Sequence, residues 1–360
     1  MLKLEKKSDI LNIVHRMEIG ENLSKDEKLG VVSHSPLLNI DYFDFVNDIP
    51  VDYMHNICLG VVKRMLELCF NIGKQRIRIT NRTLRPPNLF NKKIKSVKVP
   101  SDFSRRCREL DFSVLKAQEF RNIALFFFPL ILDSLPRNCT ERKLWLSLSF
   151  ILRACILPSD ESQILNENFI STLASNFYVT YEKLFGSSNC TYNTYMFSAH
   201  IMKMKGSGNL TDTSCFVFEN FYAELRNCYV PGTPSTLKQM FEKSFLRRTL
   251  SRHTCSPPIS VSNNDTNLTC DSLIYTHSES QYKFYKINDI CDDYLTCSTL
   301  GKSLFQFEQE KQLNWNTVGV FQCGAVASDT VYVTRNNVKG KVIRVGKILL
   351  TCPNNVLIEK

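Results

Sequence analysis

An α+β fold, mostly helical and followed by a small antiparallel β domain, is what the 360-residue sequence predicts. Three observations predict it. Apolar residues recur at three- and four-residue spacing through most of residues 8–252. Residues 256–270 are rich in Ser and Asn, with Pro257-Pro258, and read as a linker. From residue 271 onward the apolar period changes to two.

The elements follow in order. Residues 1–35 are polar and mixed in charge, with one helix expected over Ser8–Glu18. Leu37–Phe45 mixes apolar residues with Asp41 and Asp44 and reads as a short strand or a loop before Pro50. Tyr53–Ile72 is a helix: Met54, Ile57, Cys58, Val61, Met65, Leu68 and Cys69 share one face, and Gly73 stands where a C-terminal cap is favoured. Residues 74–108 read as irregular, because Pro86-Pro87 and Pro100 break any helix, although Ile77 and Ile79 allow a short strand. Broad apolar faces predict helices over Leu115–Phe128 and Arg142–Ile156, separated by Pro129, Pro136 and Asn138. Phe126, Phe127 and Phe128 belong to the core. Ser159 is the natural N-cap before a further helix, Ile164–Leu184.

Tyr195–Met204 is apolar around His200, itself read as a core or interface histidine, and Gly206-Ser207-Gly208 breaks it. Ser214–Cys228 is helical, with Phe218, Phe221, Tyr222 and Leu225 on one side, and Lys238–Arg252 is a short basic helix. Beyond the linker, Gln281–Ile287, Thr317–Phe321, Val331–Thr334 and Lys341–Leu349 read as strands of a small sheet or barrel.

Composition narrows the function. Hydrophobic residues make up 43% and charged residues 22%, which excludes a chain disordered throughout. The formal charge is +10, and it is not evenly spread. Between Lys74 and Arg108 stand twelve basic residues against the single acid Asp102, so this stretch carries +11 and the rest is close to neutral. A local basic stretch suggests a polyanionic partner. Fourteen cysteines are scattered through apolar contexts with no Cys-x-x-Cys pair, which argues for reduced thiols rather than a disulfide framework. Charges interrupt Met1–Ile10, so no secretory leader is expected there. The most apolar run, Ile123–Leu132, is far shorter than the roughly 18 residues of a membrane helix, and no membrane partner is expected.

The segment Ile49–Gly60 is the most informative for chemistry. Asp52 and His55 are three residues apart, on one face at the N-terminus of the predicted helix. Spacing alone leaves two readings open: a capping carboxylate, or a metal-ligand carboxylate beside an imidazole that moves or orients a proton. A zinc set of Asp52, His55 and Cys58 lacks a closing ligand.

The run Pro50–Arg64, P-V-D-Y-M-H-N-I-C-L-G-V-V-K-R, resembles the Asp-x-Met-His-x-x-x-Leu-Gly segment of eukaryotic DDE transposases of the CACTA (En/Spm-like) kind and their domesticated copies. Val99–Arg106 with Leu115–Arg121, and then Phe216–Tyr222, resemble that family's later elements in the family's order. Together the matches span roughly residues 30–250. The resemblance implies a partial RNase H-like core interrupted by an all-helical insertion. It also implies carboxylates that hold Mg²⁺ or Mn²⁺ for phosphodiester cleavage and strand transfer. By position Asp52 matches the second Asp, Glu219 the closing Glu and His55 the signature His. These three are the candidate catalytic residues, and Asp52 and Glu219 the candidate metal ligands. Glu219, opening its helix between Phe218 and Phe221, is expected to aim across a sheet edge.

The departures point to a truncated, degenerate copy. Only about fifty residues precede Asp52, with no long β-branched run for the family's first strand and its Asp. The family's Trp before Lys-Ala is Leu115 here, and a His expected before the closing helix is Tyr195. The implied organisation is a partial core at 1–73, a basic irregular segment at 74–112, a helical insertion at 113–192, core-closing helices at 193–255, the linker at 256–270 and the β domain at 271–360. The expected partner is DNA, met through its backbone by Lys74, Arg76, Arg78, Arg82, Arg85, Lys92, Lys93, Lys95, Lys98, Arg105 and Arg106. An oligomer or a full-length transposase partner, and a nuclear location, belong to the same expectation. Two alternatives stand beside it. One is an active metal-dependent transposase or nuclease that takes its third carboxylate from a position such as Asp41 or Asp44. The other is a non-catalytic protein-interaction scaffold.

Overall fold

The computed structural model describes residues 7–28, 31–43, 52–70, 87–99, 103, 108–111, 114–156, 167–206, 210–211, 214–227, 238–239, 241–243, 245–246, 268, 270, 272–278, 281–291, 294–303, 313, 315–318, 320–345 and 347–353. The chain forms two compact units, Met1–Val51 and Asp52–Lys360.

The first unit holds α1 (Lys7–Glu18), which buries Ile13 and Val14, and the short α2 (Lys25–Lys28). Gly20, at φ +82°, ends α1: its N–H reaches Met17 O and that of Glu21 reaches Arg16 O, the paired bonds of a left-handed helix stop. Ser24 and Glu27 cap α2 reciprocally through each other's main-chain N–H groups. Leu37 and Leu38 lie in a 3₁₀ turn, Pro36–Asn39, rather than a strand, with Pro36 starting the turn.

The second unit begins with a π-helical stretch, Tyr53–Val62, that continues as α3 (Lys63–Phe70). The predicted apolar face is buried: Met54, Ile57, Cys58, Val61, Met65 and Leu68 are at most 1% exposed. Helix α4 (Asn88–Ile94) lies inside the stretch predicted to be irregular. Pro87 sits at its N-cap, so this proline precedes the helix instead of breaking it. Next come α5 (Ala117–Asn122), π-turns over Ile123–Phe127 and α6 (Phe128–Ser134). The helical path therefore runs through Pro129. That residue falls in the first turn of α6, where its missing N–H removes no bond the helix needs. Then follow α7 (Thr140–Ile156), α8 (Glu167–Phe185), α9 (Tyr192–Gly206) and α10 (Phe216–Asn227). Ser159 lies outside the described residues.

The core is aromatic: Tyr53, Phe90, Phe120, Phe126, Phe127, Phe128, Trp145, Phe150, Phe177 and Tyr181 are fully buried. The Tyr53–Val62 helix packs against α9 at Gly60, where Asn56 Nδ2 donates to Asn193 Oδ1 at 3.0 Å. A Cβ on Gly60 would lie 2.9 Å from Asn193 Cβ and 2.5 Å from its Nδ2. Gly60→Ala should therefore lower stability by about 1–2 kcal/mol in urea unfolding, since overpacking outweighs the gain in helix propensity of up to about 1 kcal/mol.

Six strands form a closed antiparallel barrel in the order β1-β2-β3-β4-β6-β5. They are β1 (Leu273–Ser278), β2 (Gln281–Ile290), β3 (Tyr294–Ser303), β4 (Val320–Thr334), β5 (Gly340–Val345) and β6 (Ile348–Pro353). Closure occurs where Tyr275 pairs with Gly340. A side chain at Gly340 would lie 2.3 Å from Cys352 O and 2.9 Å from the Tyr275 ring, so glycine is required at the seam. The run predicted as a single strand, Lys341–Leu349, is divided between β5 and β6, which pair antiparallel from Gly340↔Pro353 to Val345↔Ile348. Thr317 lies in a 3₁₀ turn, Trp315–Val318, not in a strand.

That turn ties the barrel to the helices. Trp315 stacks on Phe128 at 5.4 Å and meets Phe150 edge-on at 5.3 Å. Beside it the buried Arg153 of α7 donates Nε to Val318 O at 2.6 Å, Nη1 to Leu125 O at 2.9 Å and Nη2 to Thr351 O at 3.0 Å. One guanidinium thus joins α7, the π-turns and β6.

Candidate functional site at two helix N-termini

Asp52 precedes the first turn of the Tyr53–Val62 helix in extended conformation, where a short acceptor side chain caps best. Its Oδ1 accepts the Met54 N–H at 3.1 Å and its Oδ2 the His55 N–H at 2.9 Å. The main-chain N–H of Cys215 donates to Oδ1 at 2.8 Å across 163 residues of sequence. Cys215 leads into α10, and the buried Ser214 accepts the N–H of Phe216 at 3.2 Å. One carboxylate therefore satisfies orphan donors at two helix starts, where both helix dipoles favour negative charge. Phe216 anchors the second start by packing edge-on against Tyr53 at 6.4 Å and under the Arg121 guanidinium at 5.4 Å.

His55 Nδ1 is in close contact with Asp52 Oδ2. A carboxylate only accepts, so Nδ1 carries the hydrogen, and in the neutral ring Nε2 keeps its lone pair. Nε2 faces Glu219 Oε1 at 3.6 Å, beyond hydrogen-bond distance and within ion-pair reach of a protonated ring. The His55 and Glu219 side chains are 56% and 61% exposed while that of Asp52 is 21% exposed, so the imidazole and Glu219 form the accessible edge of the cluster. Burial pushes the Asp52 carboxyl up, but the N–H groups of Cys215, His55 and Met54 and the His55 ring outweigh it and hold the group below its ordinary value.

All three predicted catalytic residues thus meet. Two details differ from expectation. Glu219 faces the start of another helix rather than a sheet edge, and every described strand belongs to the C-terminal barrel. Phe218 and Tyr222 are exposed, each 72%, because α10 is anchored through Phe216 on the opposite side. Cys58 is buried in the core, and the thiol beside the cluster is that of Cys215. Cys215 carried no sequence signal, since its main-chain N–H makes the decisive bond.

The ligand atoms of Asp52, His55 and Cys215 lie within 4.8 Å of one another. This set does not fit the two-ion magnesium or manganese centre that the resemblance implies. Those ions take oxygen ligands, and only Asp52 and Glu219 offer carboxylates here. The four N–H contacts already occupy about four lone-pair sites on Asp52. Burial, then the charges of Asp52 and Glu219, push the free Cys215 thiol up, which disfavours a thiolate nucleophile at neutral pH.

No family model, curated protein or solved structure matches the chain.

The predicted nucleic-acid residues divide. Lys74, Arg76, Arg78, Arg82, Arg85, Arg105 and Arg106 lie outside the described residues. Lys92, Lys95 and Lys98 are exposed and Lys93 is partly buried. Lys93 pairs with Asp133 at 2.6 Å and Lys95 with Glu109 at 2.5 Å, so acids beyond the insert offset part of its charge. Arg108, counted in the basic stretch, grips the fully buried Glu119 with Nε at 2.8 Å and Nη2 at 2.7 Å. It serves the fold. Phe90 and Phe103, the two aromatics of the stretch, are buried and offer no stacking platform. No described helix is long and apolar enough to cross a membrane.

Proposed function

We propose that the chain is a transposase-derived DNA-binding protein whose metal-dependent phosphodiester-transfer centre is incomplete. The observation that carries this reading is the meeting of Glu219 with the neighbouring pair Asp52 and His55, three positions singled out by the transposase resemblance, with Glu219 brought in from a distant part of the sequence. On this reading the Tyr53–Phe70 helix and α10 are remnants of an RNase H-like core, and the helices between them are its insertion. Two carboxylates, one of them saturated by N–H donors, leave the cluster able to fix an imidazole but short of a two-ion ligand set. Asp41 belongs to the Met1–Val51 unit, and Asp44 lies outside the described residues. Among the described residues, the group whose ligand atoms converge is Asp52, His55 and Cys215, with no third carboxylate in it. The basic segment supplies backbone contacts, and the protein acts in the nucleus.

Incubation with supercoiled plasmid tests the incomplete centre. With Mg²⁺ or Mn²⁺ the purified chain should leave the plasmid supercoiled. Metal-dependent nicking that Asp52→Asn or Glu219→Gln removes would contradict this reading and establish an active nuclease.

A further inference from the structure

We propose that the C-terminal barrel forms the second wall of a groove for a nucleic-acid phosphate backbone, opposite the segment that follows α4; this rests on the DNA-binding reading above. Two cavities, each of about 590 Å³, lie between that segment and the barrel. Ser96 and Arg344 line both, so the two cavities adjoin. On the helical side Lys98 faces the groove, together with Lys93, which is paired with Asp133, and Arg142, which donates to Leu132 O. On the barrel side Lys286, Arg344 and Lys347 face it, while Lys341 lines it but is buried. Among the described lining residues Asp133 is the one acid.

Charge of one sign on both walls of a concave site focuses the field along its length and attracts an anion. The cations come from several elements strung along two adjoining cavities, an arrangement that suits an extended chain of phosphates better than one compact anion. No aromatic residue lines either cavity, and valines and leucines fill the spaces between the cations. Contact is therefore with the phosphates and sugars, not by base stacking. The basic stretch alone did not reveal this partner surface. The barrel cations are shared between β2 and the β5–β6 hairpin, and only the fold brings them beside the residues after α4.

The test is fluorescence anisotropy of a labelled duplex of about 30 base pairs, titrated with the full chain across about 50 to 300 mM NaCl. The paired change Arg344→Ser with Lys347→Ser should weaken binding roughly 10- to 100-fold near 100 mM salt and make the salt slope shallower by about two. Lys283→Ser with Lys339→Ser, exposed on the barrel outside the groove, should leave affinity within about twofold. Circular dichroism melting checks that each variant folds. If the hairpin pair does not, Lys286→Ser on β2 takes its place, with a slope change of about one. Wild-type binding with an unchanged slope in the groove variants overturns the groove and leaves the DNA reading standing. No wild-type binding overturns both.

Discussion

Arg153→Met should lower the unfolding free energy by about 3 kcal/mol, read as a drop in the urea midpoint at constant slope. Methionine retains most of the volume but none of the donors. It leaves Val318 O, Leu125 O and Thr351 O without the guanidinium that now bonds all three. An unsatisfied buried acceptor costs about 1–3 kcal/mol, and bonds from a charged donor are the stronger ones. Arg153→Lys should fall between, since one ammonium cannot reproduce the planar fork. Burial pulls the guanidinium down to about 10 against the opposing pull of Cys352, Tyr282 and Tyr275, so the site takes a substantial desolvation penalty to hold this residue. A neutral Met variant would show that aromatic packing at Trp315, not the guanidinium, holds the barrel to the helices.

Asp52→Ala should destabilise the chain by about 2–3 kcal/mol, because it uncaps two helix starts at about 0.5–2 kcal/mol each. Asp52→Asn separates shape from charge. The carboxyl of Asp52 is depressed in the fold, so its stabilisation is fully present above its unfolded value of about 4 and is lost as pH falls through the lower folded value. The melting temperature of Asp52→Asn should therefore lie several degrees below wild type near pH 7 and approach it near pH 3. A gap that stays constant across that range would mean the charge contributes nothing. Glu119, held below its ordinary value by Arg108 despite burial, adds to acid destabilisation in both proteins and cancels in the comparison.

Much of the helical framework was legible because each helix buries one apolar face, and the three-to-four residue period records that face directly. Asp52 and His55 were legible from their spacing at a helix start. Glu219 was not, because an exposed glutamate in a first turn carries no pattern of its own; only the ordered resemblance singled it out. Capping of a second helix by Asp52 was invisible, since the partner is a main-chain N–H. Charge counting included Arg108 in the basic stretch, whereas an acid eleven residues away claims it. Prolines misled twice, at Pro87 and Pro129, because a proline just before a helix or in its first turn leaves the helix intact, whereas one further in breaks it. β1 and β3 escaped the period-two reading because residues such as His277, Thr296 and Ser298 dilute their alternation, and barrel closure depends on one bare backbone at Gly340.

The most direct test of the DNA-binding account is the wild-type salt dependence of binding to duplex DNA of arbitrary sequence. Backbone contact by the basic segment and the barrel groove predicts that log K falls linearly with log salt, with a slope steeper than about −4, and varies little with sequence. A slope near zero, or no binding at low salt, would contradict it.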